Sequence, residues 1–508
     1  MTKVVIVGGG TSGWMCAAAL ARISPPDTDV TLIESDEIGI IGVGEATIPL
    51  LAEFNQFLGI DEHHMLSECS GTFKLGIEFI DWYQKGKSYF HPFGFFGKDM
   101  PQIPFHQLWL KLNKLAREGV ISEGIGSDIC DFNLCTVAAK LGRFSQPSGS
   151  ANTIISTMRH AYHFDSAAYG KLLRHYAEKR QVTRIEGKVV DIHQNVASGD
   201  IQSVVLENGR VVKGDLFIDC SGFRALLIGK CLNSEFIDWS SYLPCDRAIA
   251  VQTKSDTNPQ PFTQAYAQDA GWRWKIPLQN RTGNGYVYCS KYLSQDEALA
   301  SLMDNLQDEP LHEPRHLKFQ TGHRRNFWQN NCVAIGLAGG FIEPLESTSI
   351  HLVQVGIQHL IELWPLRGGN GAEKTRYNQV MASEYQDIRD FIVLHYNATS
   401  RNDSAFWRYV RDMQIPQSLK DTMTLFQSSG EVDIKPDALF TPHSWVAVML
   451  GQGIYPTQYN GVVDSIPQQA LIHNMEGLRK SVRRTAEAMP THKHYLNTYC
   501  VSSKQVMI

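Results

Sequence analysis

The sequence lacks the long apolar segments that mark membrane and secreted proteins. Its 508 residues contain no run of about 18 apolar residues, the length that a membrane-spanning helix needs. The N-terminal apolar run, Val4 to Val7, is only four residues long and meets glycines at once, which is unlike a secretory signal peptide. We therefore expect a cytoplasmic protein with no membrane partner.

Basic runs and paired cysteines are missing as well. The chain has no Lys/Arg-rich run of the kind that binds a phosphate backbone, and its net charge is -5, so we expect no nucleic-acid partner. The ten cysteines are scattered and none form a C-x-x-C pair, which predicts reduced thiols and no metal site. No G-x-S-x-G elbow occurs, and the one match to H-E-x-x-H, at residues 312–316, has Pro314 inside the segment that would have to be a helix, so a protease or another metal enzyme finds no support.

The composition is that of a large globular protein. Hydrophobic residues make up 43% of the chain and charged residues 19%, values typical of folded rather than disordered proteins. The chain is too long for one small core, and its length suggests roughly two to three domains or one large composite domain.

The N-terminus carries a nucleotide-binding pattern. A strand of the buried type, Val4 to Val7, runs directly into glycines that fit G-x-G-x-x-G. The first glycine permits a tight turn, the second lets the backbone approach a pyrophosphate, and the third lets the following helix pack on the strand. That helix offers free N–H groups to phosphate at its N-terminus. The predicted phosphate-binding residues are Gly8, Gly10, Thr11, Ser12 and Gly13.

A second strand supplies the carboxylate that the pattern needs. The segment VTLIES reads as a strand, and Glu34 at its end lies 21 residues after Gly13. A carboxylate at this place accepts hydrogen bonds from ribose hydroxyls. The pattern predicts a bound dinucleotide, with a glycine-rich turn that binds nothing as the alternative, and it does not distinguish FAD from NAD.

Glycines far downstream favour FAD. The segment VVKGDLFIDCSG reads as one strand that ends at residues 219–222, and Cys332 to Ile335 reads as another that delivers Gly336 and Gly339. A late strand of this kind suits an extended FAD that crosses the sheet edge and lies over a helix N-terminus. Together these features resemble the flavin monooxygenase superfamily, in which a Rossmann-like domain binds FAD and an interleaved sheet domain covers the substrate.

One further segment fits the same plan. It predicts a helix from Ser166 to Lys179, followed by a strand around Val189. In the resembling superfamily this strand would place Val189 near the adenine end of the cofactor.

Four motifs narrow the family. They are GVGEATIP (42–49), FKLGIEFIDW (73–82), WRWKIP (272–277) and EPLESTSI (343–350). Their combination resembles the flavin-dependent tryptophan halogenases, over residues 1–459 of this chain. The motif W-x-W-x-I-P, matched at every fixed position, is the usual mark that separates these FAD-dependent halogenases from ordinary flavin monooxygenases.

The resemblance implies an α/β fold with a Rossmann-like FAD-binding domain. We expect residues 1–371 to form the FAD-binding module, with an interleaved substrate-side β-sheet domain at about 80–330. Residues 372–508 are expected to form a mainly helical C-terminal region over the substrate side. No second G-x-G-x-x-G unit is present for NAD(P)H, which fits a two-component oxidoreductase whose FADH2 arrives by diffusion from a separate flavin reductase. A homodimer is the expectation at the level of the family.

The resemblance also implies a mechanism. Reduced FAD and oxygen convert a halide to hypohalous acid, which travels through a tunnel to an amine that holds or captures it. An electron-rich aromatic carbon takes the halogen, and a base removes the ring proton. Lys74 matches the family lysine by its F-K-L-G-I context, and Glu346 matches the family glutamate in E-S-T.

Each of these two catalytic residues has a simpler interpretation. The apolar neighbours of Lys74 predict an ammonium that is destabilised by burial, which favours a reactive amine. The alternative is a lysine whose head group reaches the surface. Glu346 could be an acid that interacts with a helix N-terminus, and that interpretation is compatible with a catalytic one.

The same motifs predict the halide and flavin contacts. Thr348 and Ser349 would hold the halide through backbone N–H groups. The family often has glycine after the threonine, and the side chain of Ser349 leads us to expect that bromide is used at least as well as chloride. The remaining predicted flavin contacts are Ala46, Thr47, Ile48 and Ile350.

Trp272 and Trp274 have two interpretations. In W-x-W both rings face one side of a strand, with Pro277 ending the ladder, so the rings could simply pack in the core. The resemblance adds that they wall the passage between flavin and lysine and shield the oxidant from water. Both can hold at once.

The substrate is expected to be an indole-type aromatic. His91 and Phe93 match a family segment that sandwiches the indole ring, although an aromatic loop packed on the core is the alternative. Trp445 is a further predicted pocket residue. Its segment, HSWVAVMLGQGIYP, does not match the aromatic-rich segment that grips free tryptophan in the family, so we expect a bare indole or a larger indole compound.

Two other functions remain open from the sequence. A flavin-dependent aromatic hydroxylase shares the fold but would not require Lys74 or the tryptophan wall. A flavoprotein that uses FAD without redox chemistry is the second.

Overall fold

The structure is a computed structural model that describes residues 2–37, 45–126, 128–150, 153–364 and 371–501. The first three residues of the GVGEATIP motif, 42–44, lie outside the described residues. The strands are β1 (Thr2–Val7), β2 (Thr28–Glu34), β3 (Glu45–Ala46), β4 (Thr72–Lys74), β5 (Gly76–Ile80), β6 (Ser88–Pro92), β7 (Ala161–Phe164), β8 (Thr183–Glu186), β9 (Val189–Gln194), β10 (Ile201–Leu206), β11 (Val211–Lys213), β12 (Leu216–Asp219), β13 (Phe236–Asp238), β14 (Arg247–Thr253), β15 (Thr263–Gln268), β16 (Gly271–Pro277), β17 (Thr282–Tyr288), β18 (Arg315–Lys318), β19 (Gly322–Arg324), β20 (Trp328–Gln329), β21 (Cys332–Ala334) and β22 (Gly340–Phe341).

The α-helices are distributed along the whole described chain. They are α1 (Thr11–Ile23), α2 (Leu50–Leu58), α3 (Glu62–Glu68), α4 (Phe105–Arg117), α5 (Glu123–Gly126), α6 (Leu134–Lys140), α7 (Ser166–Glu178), α8 (Gln295–Asp304), α9 (Ser349–Glu362), α10 (Ala372–Asn397), α11 (Ala405–Asp412), α12 (Gln417–Ser429), α13 (Pro442–Gly451), α14 (Gln468–Ala488) and α15 (His492–Tyr499). The helix predicted at 166–179 is confirmed, and it is capped by the Asp165 carboxylate, which accepts from two backbone N–H groups.

A mostly parallel sheet carries the nucleotide-binding pattern. Its strand order is β20-β21-β12-β1-β2-β8, and only β20 is antiparallel to its neighbour. Residues Val4 to Val7 of β1 are all buried, as expected for a strand that is covered on both faces. The predicted α/β class with a Rossmann-like sheet is confirmed.

Two of the motif glycines show why this turn needs them. Gly8 has φ +117°, a conformation that L side chains rarely adopt. At Gly13 a Cβ atom would lie 1.9 Å from the carbonyl oxygen of Gly8, so only glycine lets α1 approach the turn so closely.

One strand prediction is wrong in detail. The segment 211–222 forms two strands, β11 and β12, rather than one. The strands part because β11 pairs with β10 in a small antiparallel sheet, whereas β12 pairs with β1 in the parallel sheet. The backbone N–H of Asp215, between them, donates to the carbonyl of Lys3 and so directs the chain towards β1.

A seven-stranded sheet forms the second layer. Its order is β18-β14-β17-β16-β15-β5-β6, and all of its pairs are antiparallel except β15 with β5. Strands β5 and β6 come from residues 76–92 and the others from 247–318, so the sheet is interleaved along the chain. The strand predicted for GWRWKIP is confirmed as β16, which lies near the middle of this sheet.

A separate three-stranded sheet, with the order β3-β7-β4, carries Ala46 and Lys74. Strand β7 pairs with β3 on one side and β4 on the other. Ala46 on β3 and Lys74 on β4 therefore lie on the two strands that flank β7.

Beyond residue 371, every secondary-structure element that the structure describes is a helix, and the α-helices there are α10 to α15. The domain boundary at 371/372 stays a prediction. None of the helices that the structure describes has the length and apolarity to cross a membrane.

Candidate active site

Lys74 lies at the end of β4 with its side chain wholly buried, at 0% exposure. Its Nζ donates to the carbonyl oxygen of Thr47 at 2.9 Å and to the Oγ of Ser347 at 2.8 Å. Burial lowers the pKa of Lys74 to about 7, against a smaller opposing effect of Glu346. The surface-lysine interpretation is therefore wrong, because the amine is enclosed by the protein.

Glu346 is the second buried charge of the site. It ends a 3₁₀ turn, Pro344–Glu346, and both carboxylate oxygens lie 2.9 Å from Nδ1 of His91. Nε2 of His395 lies 2.8 Å from Oε1, although its N–H is not aligned for a linear hydrogen bond. Although burial would raise the pKa of Glu346, the two histidines lower it to about 2, so the group is ionised at neutral pH.

A chain of polar groups extends behind this carboxylate. Nδ1 of His395 lies 2.7 Å from the hydroxyl of Tyr89. Burial raises the pKa of Tyr89 well above its usual value, so the hydroxyl keeps its proton and donates it. Burial lowers the pKa of His395, and a neutral imidazole that accepts from Tyr89 at Nδ1 carries its proton on Nε2, the nitrogen that lies 2.8 Å from Glu346.

The residues after Glu346 form the turn into α9. Ser347 has φ +62°, a left-handed conformation that is uncommon for a residue other than glycine. Thr348 is the N-cap of α9 and is fully buried, and its hydroxyl has no hydrogen-bond partner in the described residues. The backbone N–H groups at the start of a helix lack intrahelical acceptors, so the turn offers donors to a small anion.

A cavity of about 790 Å³ lies between the parallel sheet and β16. This volume is within the usual range for cofactor sites. The cavity is lined by twelve of the predicted site residues: Gly8, Gly10, Thr11, Ser12, Glu34, Ala46, Val189, Trp272, Trp274, Gly336, Ser349 and Ile350.

The remaining predicted residues lie outside the cavity wall. Thr47 and Ile48 are buried beside it, and Gly339 packs against Phe327. Thr348 is the buried N-cap that precedes Ser349, and Gly13 packs against the carbonyl oxygen of Gly8. The residues predicted to bind or process the substrate, which do not line this cavity, are Lys74, His91, Phe93, Glu346 and Trp445.

Ser347 connects the two regions. It lines the cavity and also accepts the hydrogen bond from Lys74. The amine is thus one side chain away from the cavity wall.

The cavity fits an FAD molecule at its phosphate end. A Cβ atom added at Gly10 would meet nothing within 4 Å, so this backbone borders open space at the helix N-terminus. Glu34 lines the same space, and its carboxylate accepts from Arg184 and from the indole N–H of Trp14.

The two tryptophans of β16 face the cavity from the seven-stranded sheet. Their ring centroids are 6.1 Å apart, and both side chains are buried. The indole N–H of Trp272 donates to Oε2 of Glu343 at 2.7 Å, and the hydroxyl of Tyr396 donates to the same oxygen at 2.7 Å. The structure is compatible with both predicted roles, because the rings are packed and also line the cavity.

Glu343 and His395 were not predicted from the sequence. Glu343 is wholly buried, and burial raises its pKa to about 7. Its place in EPLESTSI, three residues before Glu346, was a usable signal. His395 lies in the apolar run FIVLHY of α10, where a lone histidine marks a buried polar contact.

Two of the predicted substrate residues contact the catalytic pair, Phe93 at Lys74 and His91 at Glu346. The ring of Phe93 has its centroid 5.3 Å from Nζ of Lys74. His91 binds Glu346 through Nδ1, and its Nε2 has no partner in the described part of the chain. Trp445, on α13, meets Phe391 edge-on with centroids 5.1 Å apart.

The tryptophan halogenase family profile matches residues 3–468. This chain belongs to that family. The tryptophan 7-halogenase RebH of Lentzea aerocolonigenes is 34% identical over 450 residues, covering 85% of this chain and 83% of RebH. Among solved structures, the flavin-dependent halogenase Xcc4156 from Xanthomonas campestris is 44% identical with a TM-score of 0.94, covering 99% of both chains. The flavin-dependent halogenase BrvH from Brevundimonas sp. BAL3 is 38% identical with a TM-score of 0.92, covering 98% of this chain and 99% of BrvH.

The predicted enzyme class is therefore confirmed. The protein is a flavin-dependent halogenase, an oxidoreductase that uses FAD, a halide, an aromatic substrate and a separate flavin reductase. The hydroxylase and the flavoprotein without redox chemistry do not fit this family. Within the described residues no group of three His, Cys, Asp or Glu side chains could hold a metal ion.

Proposed function

We propose that this halogenase transfers halogen to an electron-rich, indole-type aromatic through hypohalous acid that is received at Lys74. The observation that carries the proposal is the pair of hydrogen bonds from Lys74 to Thr47 and Ser347. A neutral amine has two N–H bonds and one lone pair, and these two acceptors occupy both N–H bonds. The lone pair is then free to meet an electrophilic halogen.

The overall reaction balances without a further reagent. Reduced FAD supplies two electrons to O2, so that ArH, X⁻, H⁺, O2 and FADH2 give ArX, FAD and two H2O. Lys74 either holds HOX by a hydrogen bond or forms an N–X bond with release of water. The aromatic carbon then forms a bond to the electrophilic halogen. If an N–X bond had formed, the amine takes back the proton that it lost.

Glu346 is the proposed base for the ring proton. Its carboxylate is ionised at neutral pH because two histidines lower its pKa to about 2. A group this acidic is a weak base, but a cationic ring intermediate is a very strong acid. Transfer of the ring proton to Glu346 is therefore thermodynamically favourable. The same negative charge stabilises the developing positive charge on the ring.

We also propose that Thr348 and Ser349 hold the halide and that bromide is used at least as well as chloride. The side chain of Ser349, where the family often has glycine, lines the cavity beside the helix N-terminus. A competition assay with equal chloride and bromide measures the product ratio. Mainly chlorinated product would contradict the bromide proposal.

The proposed substrate is an indole without a free amino-acid end to be gripped, or a larger indole compound. RebH, whose name specifies tryptophan, is 34% identical, whereas Xcc4156 and BrvH, named only as flavin-dependent halogenases, are 44% and 38% identical. The unpartnered Nε2 of His91 supports a heteroaromatic ligand. In the neutral tautomer whose Nδ1–H donates to Glu346, Nε2 would carry a lone pair that an indole N–H could meet.

Mass spectrometry of the products tests the proposal. The protein is incubated with indole or tryptophan, FAD, NADH, a flavin reductase and equal chloride and bromide. Lys74→Ala should abolish the halogen isotope pairs, whereas Lys87→Ala, which changes an exposed lysine, should keep them. Halogenated product that persists in Lys74→Ala would overturn the role of the amine, and hydroxylated product that ignores the halide would overturn halogenation itself.

Assembly and supply remain family-level proposals. We propose a cytoplasmic homodimer that receives FADH2 by diffusion from a reductase that need not bind it. Light scattering measures the oligomer, and activity with unrelated reductases measures the need for a specific partner.

A further inference from the structure

The W-x-W strand has a second face that the halogenation chemistry does not use. Side chains alternate along β16, so Trp272 and Trp274 face the cofactor cavity while Arg273 and Lys275 face the opposite side of the sheet. On that side lies a separate cavity of about 40 Å³. It is lined by Thr253, Asp256, Tyr266, Arg273, Lys275, Thr282, Asn284, Asn305, Gln307 and Asp308.

Arg273 is a buried cation without an ionic partner. Its side chain is 7% exposed, and no carboxylate in the described ranges lies within ion-pair distance of it. Its Nε is buried and has no hydrogen-bond acceptor among the described residues. The guanidinium stacks on the ring of Tyr266, with Cζ 4.2 Å from the ring centroid, which fixes its plane but supplies no counter-charge.

The other charges of the cavity do not compensate Arg273. Asp256 is engaged by Lys275 at 3.0 Å, and that lysine also donates to Gln307 at 2.6 Å. Asp308 is exposed, so its carboxylate is solvated. Leaving a guanidinium buried and unpaired is costly, and arginine does not relieve that cost by losing its proton.

A neutral hydrogen-bond donor of the cavity also lacks an acceptor. The hydroxyl of Thr282 is buried and has no partner, so it is free to donate. The side-chain amide of Asn284 donates to the hydroxyl of Thr253 at 3.1 Å, which links two residues of the cavity wall. The volume is a few times the roughly 10–15 Å³ that one water needs, which admits a small ion but no nucleotide or peptide.

We propose that this cavity is a binding site for one small monoanion of halide size, held by Arg273 and Thr282. The site is separate from the halide turn at Thr348 and Ser349, because the two lie on opposite sides of β16. An anion there neutralises the guanidinium directly behind the two tryptophans and stabilises the folded sheet.

Bromide is the probe, since it scatters anomalously. Crystals of the full chain soaked in bromide should show an anomalous peak beside the Arg273 guanidinium. The peak should disappear in Arg273→Met, while Arg210→Met, which removes an exposed arginine in the turn between β10 and β11, should keep it.

Thermal unfolding gives a second readout that needs no crystal. At constant ionic strength, with gluconate as the balancing anion, bromide should raise the Tm of wild type and of Arg210→Met by the same amount. The rise should be smaller in Arg273→Met, or in Arg273→Lys if the methionine variant does not fold. The lysine keeps the charge but loses the planar fork of donors.

Three results would overturn the proposal. One is a wild-type crystal with bromide at other sites but only water beside Arg273. Another is Asp308 turned inward to pair with Arg273. The third is an equal rise in Tm in every variant. None of these results bears on halogenation, which depends on Lys74.

Discussion

Lys74 donates a hydrogen bond to Ser347, the residue that directly follows Glu346. The amine and the carboxylate are therefore held by one short turn, although they are more than 270 residues apart in the chain. The same serine lines the cofactor cavity. This turn brings together the site where an oxidant would arrive and the site where it would be used.

The first prediction concerns the pH dependence of halogenation. Because burial lowers the pKa of Lys74 to about 7, the neutral amine gains population as pH rises through that value. If the amine is the receiving group, kcat should rise on an acid limb near pH 7 and level off above it. The measurement is a steady-state pH profile of kcat with the flavin reductase in excess, and a profile without this limb would contradict the role of the neutral amine.

The second prediction concerns stability. The pKa of Lys74 is about 7 in the folded protein and 10.5 when unperturbed, so the unfolded chain binds more protons between these values. Stability therefore rises with pH across that window. Lys74→Met should be more stable than wild type at pH 7, and the difference should shrink towards pH 10. Denaturant unfolding at several pH values measures this, with Lys87→Met as a control that should show no such trend.

The third prediction concerns the polar chain behind Glu346. Tyr89→Phe removes the hydrogen bond to His395 and leaves the imidazole free to present the wrong tautomer to the carboxylate. We expect kcat to fall by about 10-fold or more with little change in KM, since a positioning partner acts on the chemical step. The pH profile of kcat should shift as well. An unchanged profile with a lower Tm would mean that Tyr89 only stabilises the fold.

The fourth prediction concerns Glu343, which holds the ring of Trp272. Glu343→Gln replaces one acceptor oxygen by a donor and weakens the bond to the indole N–H. Halogenated product per FADH2 supplied should fall, because the ring is free to move and water gains access to the oxidant. Tyr396→Phe is the matched control, since it removes the other donor and keeps the bond to Trp272. Equal loss in both variants would contradict a specific role of the tryptophan contact.

The fifth prediction concerns halide choice. Ser349→Gly restores the residue that the family often has and removes a side chain from the cavity wall. We expect the ratio of brominated to chlorinated product to fall relative to wild type. The substitution also costs helix stability, about 0.5–1 kcal/mol, so the ratio rather than the rate is the informative quantity. An unchanged ratio would show that Ser349 does not set the preference.

Local sequence patterns were enough for the strand, turn and helix of the nucleotide site. The glycines of G-x-G-x-x-G act on the turn that contains them, and the alternation in W-x-W fixes which residues share a face of β16. These features depend on neighbours along the chain, so a short segment encodes them. The one strand that was mispredicted, at 211–222, divides because its halves pair with different sheets, which is a long-range event.

The partners of the buried charges were decided by the tertiary structure. The sequence identified Glu346 and His91, but it did not pair them or add His395, which α10 brings from the helical region. Glu343 and Trp272 come from segments far apart in the chain, as do Lys74 and Ser347. A charge buried at low dielectric depends on whichever groups surround it in space, and those groups come from segments that the chain brings together only on folding. The sequence thus determined the family and the reactive residue types, and the fold determined the protonation state in which those residues are held.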